Sequence, residues 1–240
     1  FFALVPLLMA EHEITKFSNF RRKSGLIFGL SYLTFIIWNI VTTGWLYGSQ
    51  NPDGSPALMA VVFPVLVNSL LYSTIFMLYH WYKKIQGTYW GLTFFVAIWM
   101  AFEKFHLGWE LTWPWLNLGN VFSEYPVLIQ WYDTLGATGG SFWILLVNVY
   151  AFYTLRIWEA GRKRKPLILN SIILVLGISL PMLISVWKYE NFNEKPSGQV
   201  SVLLLQPELD PYTEKYEKDS IQVLQELLTL AEQHSPKDFK

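Results

Sequence analysis

The sequence contains no cysteine in 240 residues, and only 15% of its residues are charged, against about 25% in an ordinary soluble domain. Without cysteine, these residues hold no disulfide framework, thiolate zinc site or cysteine nucleophile. Net charge is also absent: 18 basic side chains face 18 acidic ones, so nothing in the overall charge points to nucleic acid as a partner. Apolar and aromatic residues fill the space instead, at 52% and 18% with twelve tryptophans. That balance excludes intrinsic disorder, which needs the opposite. Length allows one or two domains. The chain opens on Phe1 inside an apolar run and stops in a polar stretch, so a piece of a longer protein is expected.

The missing charges are missing in blocks. Residues 24–47, 57–81, 85–102, 134–155 and 167–187 carry none or almost none. A bilayer core of about 30 Å takes roughly 20 apolar residues of helix, so five full spans are expected. Residues 1–10 (FFALVPLLMA) are too short to cross and read as the tail of another span. No basic segment precedes the first apolar run, which excludes a signal peptide. The expected fold is mainly α, a polytopic helical bundle over residues 1–190.

The short loops give an orientation. Lys16, Arg21, Arg22 and Lys23, then Lys83 and Lys84, then Arg156, Arg162, Lys163, Arg164 and Lys165 place eleven basic residues on one side. The opposite loops contribute only Lys104. By the positive-inside rule the basic side is cytoplasmic, and everything after Trp187 is extracytoplasmic. Trp45, Tyr47, Trp81, Tyr82, Tyr89, Trp90, Trp158, Trp187 and Tyr189 flank spans and fit interfacial belts. Trp38, Trp99 and Trp143 lie deeper and are expected to pack. Pro64 and Pro181 sit inside spans, where neighbours can satisfy the freed carbonyls, so they predict kinks.

Polar chemistry gathers after the fourth span. Glu103 ends that span, where a carboxylate is costly unless paired or hydrated. His106 follows three residues later and shares its helical face if the helix continues. The pair either faces a headgroup or substrate cavity, or marks an ordinary helix end with Lys104 as counter-charge. Trp109, Trp113, Pro114 and Trp115, followed by Asn117, form a rigid aromatic patch at headgroup level that either lines a lipid route or anchors a re-entrant loop. Asp133 and the glycines within 136–140 precede the fifth span and permit turns or close helix approach. A phosphate cradle is not expected there, since the lysine of a P-loop is missing.

The tail changes character. Residues 199–207 form a short apolar run ending in Pro207, which suits a buried strand. Residues 212–233 repeat apolar side chains at helical spacing, with Thr213 or Asp210 as possible caps and acidic residues in the first half. Strand then helix opens an α/β domain, and residues 197–240 are too few to complete one.

Two stretches resemble the bacterial apolipoprotein N-acyltransferases: WELTWPWLNLGN (109–120) with PVLIQWYDTLGATGGSFWILLVN (126–148), and VSVLLLQPELDPYTEKY (200–216). FFALVPLLMAE is similar to the second transmembrane helix of that family. The resemblance implies that residues 197–240 begin a periplasmic nitrilase-like sandwich, with the protein in the bacterial inner membrane. It implies transfer of an acyl chain from a phospholipid to the diacylglyceryl-cysteine of an apolipoprotein, through a cysteine thioester and a Glu–Lys–Cys triad. That triad is expected beyond Lys240, so catalytic residues are none here, and Glu208 and Glu214 stand at the wrong position. Many members carry Arg where this chain has His106, which removes a fixed positive charge. Substrate-binding candidates are Glu103, His106, Trp109, Trp113, Trp115 and Asn117. Neither cofactor nor metal is implied; the partners are the phospholipid donor, the apolipoprotein acceptor and membrane lipid, with the protein a monomer. A non-catalytic membrane scaffold and a transporter remain as alternatives, the latter disfavoured by spans nearly free of ionisable groups.

Overall fold

In hydrocarbon a backbone has no water to bond, so apolar runs of this length must close their hydrogen bonds within helices. The computed structural model, which describes residues 1–16, 22–51, 53–161, 164–193, 198, 202–210 and 218–234, bears this out. Helices run over Val5–Lys16 (α1), Lys23–Thr43 (α2), Met59–His106 (α3), Tyr132–Glu159 (α4), Arg164–Glu190 (α5) and Ser220–His234 (α6). Four of the long stretches, Lys23–Gly48, Met59–His106, Tyr132–Glu159 and Lys165–Glu190, are long and apolar enough to cross a membrane. The chain divides into two units, Phe1–Trp45 with Val61–Phe192, and Leu46–Ala60 with Asn193–Lys240.

The expected spans 57–81 and 85–102 are one continuous stretch, α3, broken at Gly87 (φ 84°, ψ 174°). That backbone region is essentially open to glycine alone. The two legs fold back on each other: Tyr82 stacks on Phe94 at 4.3 Å, Tyr79 meets Phe95 at 5.1 Å, and Tyr72 meets Trp99 and Phe102 at 5.1 Å. The reversal therefore falls at Gly87, later than the hydropathy boundary, and Lys83 and Lys84 belong to the helix instead of a loop. Gly91 makes the turn close, because a Cβ there would stand 2.6 Å from Cβ of Lys83.

The first unit's core is aromatic. Trp38 and Phe35 of α2 pack with Tyr72 and Trp99 of α3 at 5.1 to 6.3 Å. Such pairs contribute about 0.5–1.5 kcal/mol each, useful where lipid removes the hydrophobic drive between helices. Trp38, Trp99 and Trp143 pack as expected, with Trp99 fully buried. Trp45, Tyr47, Trp81, Tyr89, Trp90, Trp158, Trp187 and Tyr189 stay exposed at helix ends.

Polar side chains stitch the remaining helices. Asn39 donates to Oγ of Ser69 (3.2 Å), Tyr150 to Oδ1 of Asn170, and Asn148 accepts from the Leu4 amide (3.0 Å). Pro181 leaves the Gly177 carbonyl without its intrahelical donor. The Trp143 indole N–H supplies one across the α4–α5 contact at 2.6 Å. The outer face of α5 is left to Ile168, Val175, Leu176, Leu180 and Leu183, all exposed.

In the second unit the strand expected over 199–207 is not found: residues 202–210 carry no regular structure, and 199–201 lie outside the described residues. A lone strand has no ladder to satisfy its backbone. The tail helix is shorter than 212–233, starting at Ser220 with no acidic residue in its first turn. The amides of Gln222 and Val223 bond the Asp219 carbonyl, so Asp210 does not cap it; Thr213, like Glu214, lies outside the described residues. Glu208 borders, with Lys218 and Glu226, an open concavity of about 780 Å³.

Candidate functional site

The helix does continue through His106, so Glu103 and His106 share a face as the spacing predicts. Both point inward. Glu103 is 3% exposed; its Oε1 accepts from the Trp99 indole (3.0 Å) and from the amide of Leu118 (3.0 Å). Lys104 is exposed and is not its partner. The second bond spans fifteen residues and pulls the loop down onto α3. A second clamp lies beside it: the Gly119 amide donates to Oγ of Ser141 on α4 (2.8 Å), and the Tyr132 hydroxyl donates to the Gly119 carbonyl (3.0 Å). Only glycine fits between them, because a Cβ at Gly119 would lie 1.9 Å from the Ala137 carbonyl oxygen.

The glycine run makes the α4 side of this clamp. Gly136 (φ 65°, ψ −174°) breaks α4 after its first turn. The break brings the Tyr132 ring over Gly140, where a Cβ would stand 1.9 Å from the phenol oxygen. Asp133 at this end pairs with Lys188 of α5 (2.8 Å), fixing where α5 leaves the bundle.

His106 is buried, stacked 5.2 Å from Phe102, and its Nδ1 accepts from the Trp109 indole at 2.8 Å. An indole N–H can only donate, so Nδ1 carries no proton and Nε2 holds the hydrogen of a neutral ring. Nε2 has no partner among the described residues, and neither do Nε1 of Trp113 nor Oδ1 of Asn117. Trp113 lies edge-on to Trp115 at 5.0 Å. Trp109, Trp113 and Asn117 are half-buried, while Trp115 is 56% exposed. The turns Pro114–Leu116 and Leu118–Phe122 shape the loop, with the Asn120 side chain donating to the Pro114 carbonyl. The six candidates thus divide into two buried supports, Glu103 and His106, and a loop of four residues held above them.

A second polar cluster escaped the sequence. Glu11, His80 and Lys83 are almost inaccessible, and the carboxylate binds Nδ1 of His80 (2.8 Å), the Lys83 ammonium, Oγ1 of Thr15 (3.2 Å) and the Tyr79 hydroxyl (3.4 Å). Ser24 reaches the other His80 nitrogen at 3.3 Å, tying α2 in. One signal was available: His80 and Lys83 are three apart at the end of an apolar span, on one face where the helix continues past residue 81. Their partner, Glu11, lies at the other end of a 72-residue separation and carries no local signature.

Residues 1–150 match the family described as the apolipoprotein N-acyltransferase N-terminal domain. An apolipoprotein N-acyltransferase from Chlorobaculum tepidum is 26% identical over 212 residues, covering 88% of this chain and 36% of the relative. The chain therefore spans about a third of the length of the curated relative it matches. No solved structure matches it.

Proposed function

The chain belongs to the apolipoprotein N-acyltransferase family, and on that premise we propose that it is the membrane part of a protein that acylates lipoprotein N-termini. In the whole protein a cysteine thiolate takes the acyl group from a phospholipid ester, releasing the lysophospholipid. The α-amine of the diacylglyceryl-cysteine then attacks the thioester, giving the amide and returning the thiol. These residues contain no cysteine, so the 240-residue chain performs no transfer by itself. Its task is to hold two lipid-bearing substrates at the extracytoplasmic surface of the bacterial inner membrane, for the catalytic domain that residues 197–240 begin.

The observation that carries this is the clamped tryptophan loop. Trp115, with Trp109, Trp113 and Asn117, presents a rigid amphipathic edge at headgroup depth, where acyl chains and ester groups meet. Glu103 and Ser141 fix its height through the amides of Leu118 and Gly119. Nε2 of the neutral His106 ring is an N–H donor without a partner among the described residues, suited to an ester carbonyl or phosphate oxygen without demanding a charge. Glu103 acts here as a positioning residue.

The test uses the complete protein in proteoliposomes with a phosphatidylethanolamine donor and a diacylglyceryl peptide. The complete protein acylates the peptide and the 240-residue chain does not. Glu103→Ala lowers kcat/KM on the order of tenfold, the equivalent of about 1.4 kcal/mol, while Glu103→Gln, which keeps an acceptor, recovers most of it. Activity untouched by Glu103→Ala would discard the positioned loop, and a complete protein without transfer would leave a membrane scaffold.

A further inference from the structure

The basic end of the bundle holds a cavity that acyl transfer does not use. It measures about 300 Å³ and is lined by Glu11, Thr15, Lys16, Lys83, Lys84 and Thr88, among others. Its charges do not cancel. Glu11 is committed to Lys83 and His80 beneath the floor, leaving the ammonium groups of Lys16 and Lys84 at the walls. Glu13 stands 3.8 Å from Lys16 but lies closer to Arg156, at 3.2 Å. Among the described residues, no carboxylate forms an ion pair with Lys84. Three lysines line the cavity against one carboxylate, and with Glu13 shared between Lys16 and Arg156 the concave surface keeps an excess of positive charge.

Concavity distinguishes this place from a scatter of surface lysines. Lys83 is held by its neighbours and cannot turn to solvent, since it is 7% exposed and its Cβ abuts Gly91. The Gly87 reversal carries the chain past the cavity rim and sets Thr88 there. The floor is therefore held in place and partly neutralised, while the walls carry exposed ammonium groups with aliphatic stems. Such a lining takes a compact anion whose remainder is apolar or faces water.

We propose that this cavity binds a phosphate group, as carried by an anionic phospholipid headgroup or by free phosphate. It lies about 20 Å along the second leg of α3 from Glu103, from the helical rise between Thr88 and that residue. It is therefore separate from the tryptophan loop, and its occupant is not the acyl donor of the proposed reaction. A phosphate there would bridge α1 and the α3 turn, bonding the two elements that the buried cluster already joins.

The test places the chain in nanodiscs of phosphatidylcholine with a minor share of phosphatidylglycerol, and native mass spectrometry counts the phosphatidylglycerol retained. Lys16→Ala/Lys84→Ala should weaken retention about thirtyfold, from about 1 kcal/mol for each lysine near a headgroup. Lys104→Ala, at the other end of α3, should change nothing. Both replaced lysines are exposed, and unchanged thermal melting of the variants verifies that folding is intact. A second arm titrates inorganic phosphate: displacement of the lipid assigns the site to phosphate alone, and its failure assigns it to the headgroup. Retention unaffected by the double variant, equal loss in Lys104→Ala, or binding of neither probe would overturn the proposal.

Discussion

Glu11 and Glu103 are both buried in the bundle, and each shows a different way to keep a carboxylate out of water. Glu103 receives neutral donors, an indole, a backbone amide and the Ser141 hydroxyl, so it orders a loop. Glu11 receives a cation and an imidazole, so it joins helices. Burying an ion pair costs several kcal/mol per ion, and removing one partner strands the other. Glu11→Ala should therefore lower stability by about 3–5 kcal/mol, whereas Glu11→Leu/Lys83→Met should cost much less. Unfolding in detergent followed by tryptophan fluorescence measures both. Equal losses would mean that the pair contributes attraction of its own. The face shared by Glu103 and His106 was legible in the sequence because three residues along a helix is a local distance. The Glu11–Lys83 pair was not, since its members come from different helices.

Pro181 illustrates at the scale of an element what the neighbours of a span decide. A proline in the sequence predicts an orphaned carbonyl four residues earlier, but it does not say which group satisfies it. Here Trp143 of α4 does, which makes the indole part of α5's backbone hydrogen bonding as well as of the core. Trp143→Phe should destabilise the bundle by about 1–3 kcal/mol through the bare carbonyl. Pro181→Ala in that background should restore most of the loss, because alanine returns the missing N–H. Thermal melting of the four-member cycle checks this; independent effects would mean that Trp143 acts by packing alone. The α3 hairpin shows the complementary case. Hydropathy gave the two legs but set the turn at residues 82–84, because two lysines look like a loop; the backbone turns at Gly87, where only glycine tolerates the dihedrals.

At the scale of the whole 240-residue chain, the absence of cysteine from these residues is an experimental convenience. Every introduced cysteine is unique, so Lys84→Cys and Lys104→Cys can report opposite ends of α3. If the positive-inside rule orients the bundle, a membrane-impermeant maleimide should label Lys104→Cys in intact spheroplasts and Lys84→Cys only after permeabilisation. The reverse pattern would invert the bundle and remove the extracytoplasmic placement of the tryptophan loop. The second unit is where sequence and structure part: an apolar run compatible with a strand stays irregular over 202–210. Strand pairing is a property of two segments, and no partner strand exists among the described residues.

What the sequence determined alone is the class: uncharged runs of bilayer length, a basic side, belts of aromatics and the motifs of an acyltransferase family. These are sums over neighbouring residues, and the solvent rewards them wherever the helices go. The tertiary structure decided which charges are buried, that Glu103 and Ser141 seize two consecutive amides of the loop, and that Lys83 belongs to the interior. Those facts depend on helices distant in sequence meeting at a few ångströms, and a span's own composition carries no record of what it will meet.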